Sequence, residues 1–321
     1  MRELIDACRY ALRHNLGFKH GERALVVTDE NKIQVGNAFL TAARELSPAS
    51  HLIQIPVARF NGEEPPEWAA EEMLKTDVLL LPVTKSLSWT HARMAATQAG
   101  ARIASMAGGL DESMIVRLFR IDYRPIRTRV NRIADLMDKA EQIRISTASG
   151  TDLFLDVQGR KGRGRKGGIY TEPGDWGNLP CGEAFVAPVE GTARGVYRVD
   201  ASQAAVGAVR QPIRISVDRG VATKIEGGPE ADILRNHLLE VKDEAAFNIA
   251  EFGIGCNDKA ILSGATIEDE KVLGTCHIAL GNNIHFGGQV DVGVHVDGII
   301  KNPTIEMDDR TIMAAGTLIL S

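Results

Sequence analysis

A histidine and an aspartate two residues apart, His295 and Asp297, form the most distinctive chemical pattern in the sequence. They lie in residues 274–299, GTCHIALGNNIHFGGQVDVGVHVDGI, where valines at alternate positions predict a strand. Because residues i and i+2 of a strand point to the same face, we expect the imidazole and the carboxylate to project side by side. Such a pair is a two-point chelate for a divalent metal ion.

A second histidine, His277, lies in another predicted strand, residues 274–281, GTCHIALG, which ends at a Gly-Asn-Asn turn. With His295 and Asp297 it would complete a facial metal site that has open positions. The alternative is that these polar residues are satisfied by hydrogen bonds near a sheet edge. The neighbouring Cys276 is expected to face the opposite side of the strand, as a small buried residue rather than a thiolate ligand.

Two glutamates in apolar, Gly-flanked segments add carboxylates to this set. Glu183 lies in residues 178–188, NLPCGEAFVAP, and Glu251 lies in residues 247–255, FNIAEFGIG. A carboxylate in apolar surroundings is costly unless it is paired or binds a metal, so the alternative is a salt bridge to one of the 37 Lys and Arg residues. The whole set is sufficient for one or two divalent ions, with one carboxylate bridging in the second case: Glu183, Glu251, His277, His295 and Asp297.

The first part of the chain alternates short apolar runs with helical patterns, which predicts an α/β, Rossmann-like domain with a mostly parallel sheet over residues 1–140. No GxGxxG motif follows the first strand, which argues against a dinucleotide site. The predicted strands are residues 24–28, 51–57, 78–83 and 101–106, and the predicted helices are 38–45, 67–74 and 90–100.

The segment after the third predicted strand is rich in hydroxyl groups. Ser86, Ser88 and Thr90 lie where ligands bind in parallel sheets, beyond the carboxyl end of a strand. We therefore assign them as candidate substrate-binding residues, the alternative being that they only cap the next helix.

Strands and glycines dominate the rest of the chain, which predicts a β-rich α+β metal-binding domain over residues 141–321. Residues 160–166, RKGRGRK, form a basic, Gly-rich loop that either binds an anionic group or is a solvated, mobile loop. Residues 229–239 are one of few predicted helices in this half.

Composition limits the classes of protein. A chain of 321 residues with 44% hydrophobic and 25% charged residues is typical of a globular protein of two domains. The net charge of −5 argues against nucleic-acid binding. No apolar run predicts a membrane span, the first residues predict an amphipathic helix rather than a signal peptide, and four cysteines without CxxC spacing indicate free thiols in a reducing cytoplasm.

Four motifs resemble the aminopeptidase T / aminopeptidase S (thermophilic, leucyl aminopeptidase) family of metallopeptidases: GEAFVAP (182–188), AEFGIG (250–255), GTCHIALG (274–281) and HVDGII (295–300). They occur in the order of that family. Position by position, the resemblance implies metal ligands at the five residues already identified. It also implies a homodimer or higher homo-oligomer that hydrolyses short peptides with two zinc, cobalt or manganese ions.

The chain departs from that pattern seven residues after the first ligand histidine, where the family has a tyrosine and this sequence has Ile284. The missing hydroxyl is a donor to the tetrahedral intermediate of peptide hydrolysis. The adjacent His285 is a candidate donor or acid in its place. The same superfamily resemblance extends to 2,5-dihydroxypyridine 5,6-dioxygenase, which implies a single Fe(II) held by His277, His295 and Asp297.

Three hypotheses follow. The first is a cytoplasmic metal-dependent aminopeptidase-like hydrolase of small peptides or amides, in which Glu183 or Glu251 bridges the metals or relays a proton. The second is an Fe(II)-dependent ring-cleaving dioxygenase acting on a hydroxylated N-heterocycle. The third is a family member that binds metal without turnover.

Overall fold

A computed structural model describes residues 1–320. Contacts between Cα atoms divide the chain into two compact units, Met1–Arg127 with Lys166–Cys181, and Thr128–Arg165 with the chain from Gly182 onward. The sequence predicted one boundary near residue 140. That boundary between folding domains stays a prediction. The two contact units divide at other residues, and residues 166–181 belong to the first unit although residues 128–165 belong to the second.

The elements up to residue 180 follow the predicted alternation of helix and strand. A 3₁₀ helix at Glu30–Lys32 precedes the second α-helix. The elements are α1 (Arg2–His14), β1 (Ala24–Thr28), α2 (Ile33–Arg44), β2 (His51–Gln54), α3 (Glu67–Met73), β3 (Val78–Pro82), α4 (His91–Gln98), β4 (Arg102–Met106), α5 (Glu112–Leu118), α6 (Arg124–Met137), β5 (Gln142–Ser146), β6 (Asp152–Asp156) and β7 (Trp176–Asn178).

Beyond residue 180 the chain is mainly strand. Two further 3₁₀ helices occur at Glu244–Phe247 and Ile284–Phe286. The other elements are β8 (Glu183–Val186), β9 (Arg194–Val199), β10 (Ser202–Gln203), β11 (Gly207–Ala208), β12 (Ile213–Asp218), β13 (Val221–Glu226), α7 (Pro229–Glu240), β14 (Ile249–Gly255), α8 (Thr266–Asp269), β15 (Thr275–Gly281), β16 (His295–Lys301), β17 (Thr304–Met307), β18 (Arg310–Ala314) and β19 (Thr317–Leu318).

The first unit contains a five-stranded sheet in the order β2-β1-β3-β4-β7, in which every pair is parallel. All residues of β1, β3 and β4 are buried, as expected for strands covered on both faces. The predicted α/β domain with a parallel sheet is therefore confirmed. The predicted second strand is shorter than expected, since β2 ends at Gln54.

The second unit is built from two antiparallel sheets, which confirms the predicted β-rich architecture. One sheet has six strands in the order β11-β10-β16-β15-β14-β8, and the other has eight in the order β13-β12-β9-β6-β5-β17-β18-β19. In the first sheet, β14 and β15 are buried along their whole length. These two strands and their neighbours β8 and β16 carry the candidate metal ligands.

The basic loop at residues 160–166 is held by carboxylates and a carbonyl, which differs from the predicted solvated, mobile loop. Arg165 lies 2.8 Å from Asp138, and Arg160 forms an ion pair with Glu190. Arg163 Nε donates to the carbonyl of Phe286 at 2.8 Å. These arginines therefore stabilise neighbouring segments of the second unit.

No helix within residues 1–320 combines the length and apolar character that crossing a bilayer requires.

Candidate metal centre

The register of three neighbouring strands places the predicted ligands on one face of the six-stranded sheet. In the ladder, Ala279 of β15 pairs with Glu251 on one side and with Asp297 on the other. Two pairs further along, His295 lies opposite Gly281. Because residues two apart in a strand share a face, the odd-numbered residues of these strands project together.

Small residues leave room for the larger side chains on this face. His277 pairs with Gly253 of β14, and a Cβ at Gly253 would lie only 2.0 Å from His277 Nε2. Between the carboxylates, Ala279 contributes only a methyl group. Gly253 is therefore required because the His277 ring packs directly over its backbone.

His277 faces two carboxylates through the same nitrogen. Its Nε2 lies 3.4 Å from Glu251 Oε1 and 3.5 Å from Glu183 Oε2. The ring is fully buried, and among the residues that the structure describes its Nδ1 has no hydrogen-bond partner. The orientation of this ring is therefore set by packing on Gly253 and by the two carboxylates.

His295 is oriented on both sides of its ring. Its Nε2 lies 3.3 Å from Glu251 Oε2 and 3.4 Å from Asp297 Oδ1. Its Nδ1 donates to the carbonyl of Asn282 at 2.8 Å. This backbone hydrogen bond assigns the proton of the neutral ring to Nδ1 and leaves Nε2 with a lone pair directed at the carboxylates.

The structure brings all five predicted ligands together. They form two groups of possible ligand atoms, each within 4.8 Å, namely Glu183 with Glu251 and His277, and Glu251 with His295 and Asp297. Glu251 belongs to both groups, with one oxygen directed at each histidine. Two imidazole nitrogens among carboxylate oxygens are a donor set that binds divalent transition metals, so these residues fit a metal ion.

A buried lysine that sequence reasoning missed also lies at this cluster. The side chain of Lys271 is fully buried, and its Nζ donates to Glu183 Oε1 at 2.7 Å and to Glu270 Oε1. For Glu183 the metal-ligand and salt-bridge interpretations therefore both apply. Lys271 lies in the acidic run IEDEK, a pattern typical of an exposed helix end, and nothing in the spacing of that run marks it as buried.

The cluster strongly perturbs the ionisation of its members. Burial alone would lower the pKa of His277, but the hydrogen bond that it donates to Glu251 and the charges of Glu183 and Asp297 outweigh this effect and raise that pKa to about 9. The pKa of His295 is likewise raised well above its ordinary value, against the effect of burial, mainly by Asp297.

The acids respond in opposite directions. Burial would raise the pKa of Asp297, but the charge and hydrogen bond of His295 lower it to about 2. Burial raises the pKa of Glu270 to about 8, although the Lys271 charge opposes this. In the metal-free protein the cluster thus combines an ionised Asp297, a Glu270 that keeps its proton near neutral pH, and imidazoles that protonate readily.

The predicted catalytic residue His285 is exposed on the 3₁₀ helix Ile284–Phe286 and belongs to neither group of ligands. Ile284, which replaces the tyrosine expected from the resemblance, is 40% exposed. Phe286, which follows His285, contacts the cluster instead, since the centroid of its ring lies 5.0 Å from that of the His295 ring. A catalytic role for His285 stays a prediction.

The predicted substrate-binding hydroxyls lie in the first unit, where they bond to nearby groups. Thr90 caps α4 by accepting from the amide of Arg93 at 3.2 Å. Ser88 Oγ lies 2.8 Å from Ser105 Oγ, and Ser86 Oγ accepts from the Ser88 amide at 3.1 Å. These contacts account for the residues structurally, and their role in substrate binding stays a prediction.

The chain is similar to a curated 2,5-dihydroxypyridine 5,6-dioxygenase from Pseudomonas putida strain KT2440, with 24% identity over 205 residues. That match covers 60% of this chain and 58% of the relative. The chain therefore aligns with less than two thirds of the curated relative.

Two solved structures share the fold. The structure of 2,5-dihydroxypyridine dioxygenase from Pseudomonas putida KT2440 superposes with a TM-score of 0.86 at 19% identity, covering 99% of this chain and 97% of the other. Wild-type AmpT from Thermus thermophilus superposes with a TM-score of 0.70 at 18% identity, covering 99% of both chains.

The specific assignment to the aminopeptidase T family is not confirmed by these similarities, because the AmpT likeness shows the fold alone. The superfamily resemblance to the dioxygenase has a broader basis, since a family model matches residues 3–320, nearly the whole chain. The chain belongs to the family described as NicX, 2,5-dihydroxypyridine 5,6-dioxygenase.

Proposed function

We propose that the protein is a metal-dependent dioxygenase that opens the ring of a hydroxylated N-heterocycle of the 2,5-dihydroxypyridine class. The observation that carries this proposal is the buried ion pair between Lys271 Nζ and Glu183 Oε1, 2.7 Å apart. It favours a centre with one divalent ion, which is the requirement of the dioxygenase, over the two-ion centre of the hydrolase.

The argument from Lys271 is electrostatic. A second divalent ion held by Glu183 and His277 would lie beside a buried ammonium group. At a separation of about 4 Å and an effective dielectric constant of about 20, each pair of unit charges repels by about 4 kcal/mol. Lys271 therefore supplies the positive charge that neutralises Glu183, and a second metal ion is disfavoured there.

One divalent ion then remains for the other ligands. His277, His295 and Asp297 would hold it, which is the two-histidine, one-carboxylate set that non-haem Fe(II) oxygenases use with positions left open. Fe(II), when bound, supplies the one-electron chemistry that oxygen activation requires. The centre fits Fe(II) because it offers two imidazoles and a carboxylate without a thiolate, since Cys276 alternates with His277 along β15 and is buried.

The remaining carboxylate of the cluster can move a proton. Glu251 is 5% exposed, and despite its burial the hydrogen bonds from His277 and His295 lower its pKa, so it is ionised near neutral pH. An ionised carboxylate within reach of the metal ligands can accept the hydroxyl proton of a hydroxylated heterocycle through Oε1 or Oε2. We infer that Glu251 acts as the general base, a narrower role than the bridging ligand of the hydrolase.

The second candidate function is the aminopeptidase-like hydrolase with two zinc, cobalt or manganese ions. One observation favours it: Glu251 is shared between the two ligand groups, as a bridging carboxylate in a dinuclear site would be. Against it stand the Lys271 ammonium and the absence of a hydroxyl at Ile284. Binding of metal without turnover is the third possibility.

The experiment that separates these functions begins with metal analysis of protein purified anaerobically without chelators. Protein reconstituted with Fe(II) is then assayed for oxygen uptake with 2,5-dihydroxypyridine, and protein loaded with zinc, cobalt or manganese is assayed on a dipeptide panel. The proposal expects about one iron per chain and substrate-dependent oxygen uptake. Two ions per chain with peptide cleavage would replace it with the hydrolase, and metal binding without either reaction would support the non-catalytic alternative.

We also propose that the protein acts in the cytoplasm as a homodimer or higher homo-oligomer, on a small-molecule substrate rather than nucleic acid or membrane. Its four cysteines are buried and form no disulfide among residues 1–320, which fits a reducing compartment. Light scattering coupled to size-exclusion chromatography measures the number of subunits. A monomer at micromolar concentration would contradict the proposed homo-oligomer.

A further inference from the structure

We propose that Glu190 is a positioning residue for the metal ligand His295, acting through the segment 282–294, which we name the His295 loop. The inference rests on the proposed function only in that His295 binds a metal. Glu190 lies outside the metal-ligand cluster, and it acts through contacts that fix the backbone carbonyl bonded to the His295 ring.

The Glu190 carboxylate binds the His295 loop directly. Its Oε1 accepts from the side-chain amide of Asn283 at 2.9 Å and from the backbone amide of Gln289 at 2.8 Å. Its Oε2 accepts from Arg160. Burial alone would raise the pKa of Glu190, but these donors and its own backbone amide lower it, so the group stays an acceptor.

Two arginines from the basic loop support the same segment. Arg160 donates one nitrogen to Glu190 and another to the carbonyl of Gly287, so it connects the carboxylate with the far side of the turn. Arg163 Nε donates to the carbonyl of Phe286 at 2.8 Å. The Phe286 ring in turn packs against the His295 ring. The loop is thus held at both its backbone and its aromatic side chain.

Asn283 transmits this support to the metal ligand. Its side chain is fully buried, and besides donating to Glu190 it accepts from the Val290 amide through Oδ1 at 2.9 Å. The Asn283 backbone amide donates to the Val290 carbonyl at 3.0 Å. That amide belongs to the same planar peptide group as the Asn282 carbonyl, which accepts the His295 Nδ1 proton at 2.8 Å.

The consequence for His295 follows from the geometry of a metal-bound imidazole. A hydrogen bond at Nδ1 fixes both the tautomer and the rotation of the ring, and loss of such outer contacts typically weakens metal affinity by about 10- to 100-fold. Without the Glu190 carboxylate, the buried Asn283 side-chain amide loses its acceptor and Arg160 loses one of its two acceptors. The 282–283 peptide is then held by fewer contacts, so the Asn282 carbonyl directs the ring less firmly.

The test compares E190A and E190Q with wild type and with a matched control, E226A. Glu226 is also a carboxylate of the second unit paired with two basic residues, Arg214 and Lys224, but its ion pairs lie in β12 and β13 rather than in the His295 loop. Co²⁺ is the probe: its dissociation constant and visible absorption bands report the ligand geometry without substrate or oxygen. Hydrogen exchange of residues 283–290 is measured on the metal-free protein.

We expect E190A to weaken Co²⁺ binding by about 10-fold or more, to shift the visible bands and to speed exchange in the His295 loop. E190Q keeps an acceptor for Asn283 and Gln289 but presents an amide to Arg160. Its loss of Co²⁺ affinity should therefore be smaller than that of E190A, about 3-fold or more. E226A should match wild type. If E190A does not fold, the Co²⁺ affinity and spectrum of E190Q alone decide whether Glu190 positions His295.

Wild-type Co²⁺ affinity and spectrum in a folded E190A, or in E190Q where E190A does not fold, would overturn the proposal, even if loop exchange increased. If the wild-type protein does not consume oxygen with 2,5-dihydroxypyridine but E190A shows the expected loss of Co²⁺ affinity, the proposed reaction is rejected. The role of Glu190 is supported in that case. The two failures are therefore distinguishable.

Discussion

The ammonium of Lys271 and the carboxylate of Glu183 form a buried ion pair at 2.7 Å, next to the imidazole of His277. Glu270 accepts a second hydrogen bond from the same ammonium. A fixed organic cation thus lies on the side of the cluster where a second metal ion would need Glu183. The proposed single-ion centre rests on this relationship.

Replacement of Lys271 by methionine tests that link. The variant leaves Glu183 and Glu270 buried without a positive charge, a state that is costly unless a cation is gained. We expect wild type to bind one divalent ion and K271M to bind a second, measured by equilibrium dialysis with Mn²⁺ or Co²⁺.

The matched control is Lys224, an exposed lysine paired with Glu226 in the same unit. K224M should keep the wild-type number of ions. If K271M still holds a single ion while remaining folded, Lys271 does not set the metal count.

Gly253 provides a steric test of the His277 site. A Cβ at this position would lie 2.0 Å from His277 Nε2, so G253A must push the ring out of the cluster. We expect metal affinity to fall by at least 10-fold and the free energy of unfolding to fall by about 1–3 kcal/mol.

The control is G62A in the first unit, because a Cβ at Gly62 meets no atom within 4 Å and its φ of +87° makes alanine destabilising there without contact to the metal ligands. Co²⁺ titration and thermal unfolding check both variants. Equal metal affinity in G253A and G62A would show that the His277 ring does not need its observed position.

Removal of the ligands on β16 is the direct test of the centre. H295A and D297A should each lose tight metal binding, because each removes a donor from the group that includes Glu251. The first unit should stay folded, which the fluorescence of Trp89 and Trp176, two half-buried tryptophans that contact Arg93, reports. Metal content is measured after gel filtration.

The control H91A removes a histidine of the first unit whose side chain is 92% exposed. It should keep full metal content. Full metal content in both H295A and D297A would remove the basis for the site.

Metal binding should depend on pH in a defined direction. The pKa of His277 in the metal-free protein is raised from 6.5 to about 9, so the ring is protonated at pH 7.5. Metal ligation requires the neutral ring, and binding must therefore release a proton. We expect affinity for Co²⁺ to rise between about pH 6.5 and 9 and to level off above.

Calorimetric titration in buffers of different ionisation enthalpy counts the protons released. At least one proton per metal ion is expected at pH 7.5, and H91A should behave as wild type. Affinity that is constant across this range would contradict the protonated state of His277.

Much of the architecture was predictable because it depends on local patterns. Fully apolar runs such as 24–28 and 78–83 predicted the buried parallel strands, and β1 and β3 form there. The spacing of His295 and Asp297 predicted a shared face, since strand geometry alone determines it. The chemistry of Glu183, Glu251 and His277 identified them as candidates, although they are distant from one another in sequence.

The sequence by itself therefore determined the strand character of the ligand segments, the types of donor and the class of metal that they suit. Only the tertiary structure decided which strands are neighbours, and with it the pairing of Gly253 with His277 and the position of Glu251 between two histidines. It also decided that Lys271, in a charged run typical of a surface, is buried against Glu183. Contacts between residues distant in the chain depend on strand order and loop paths, which local periodicity does not contain.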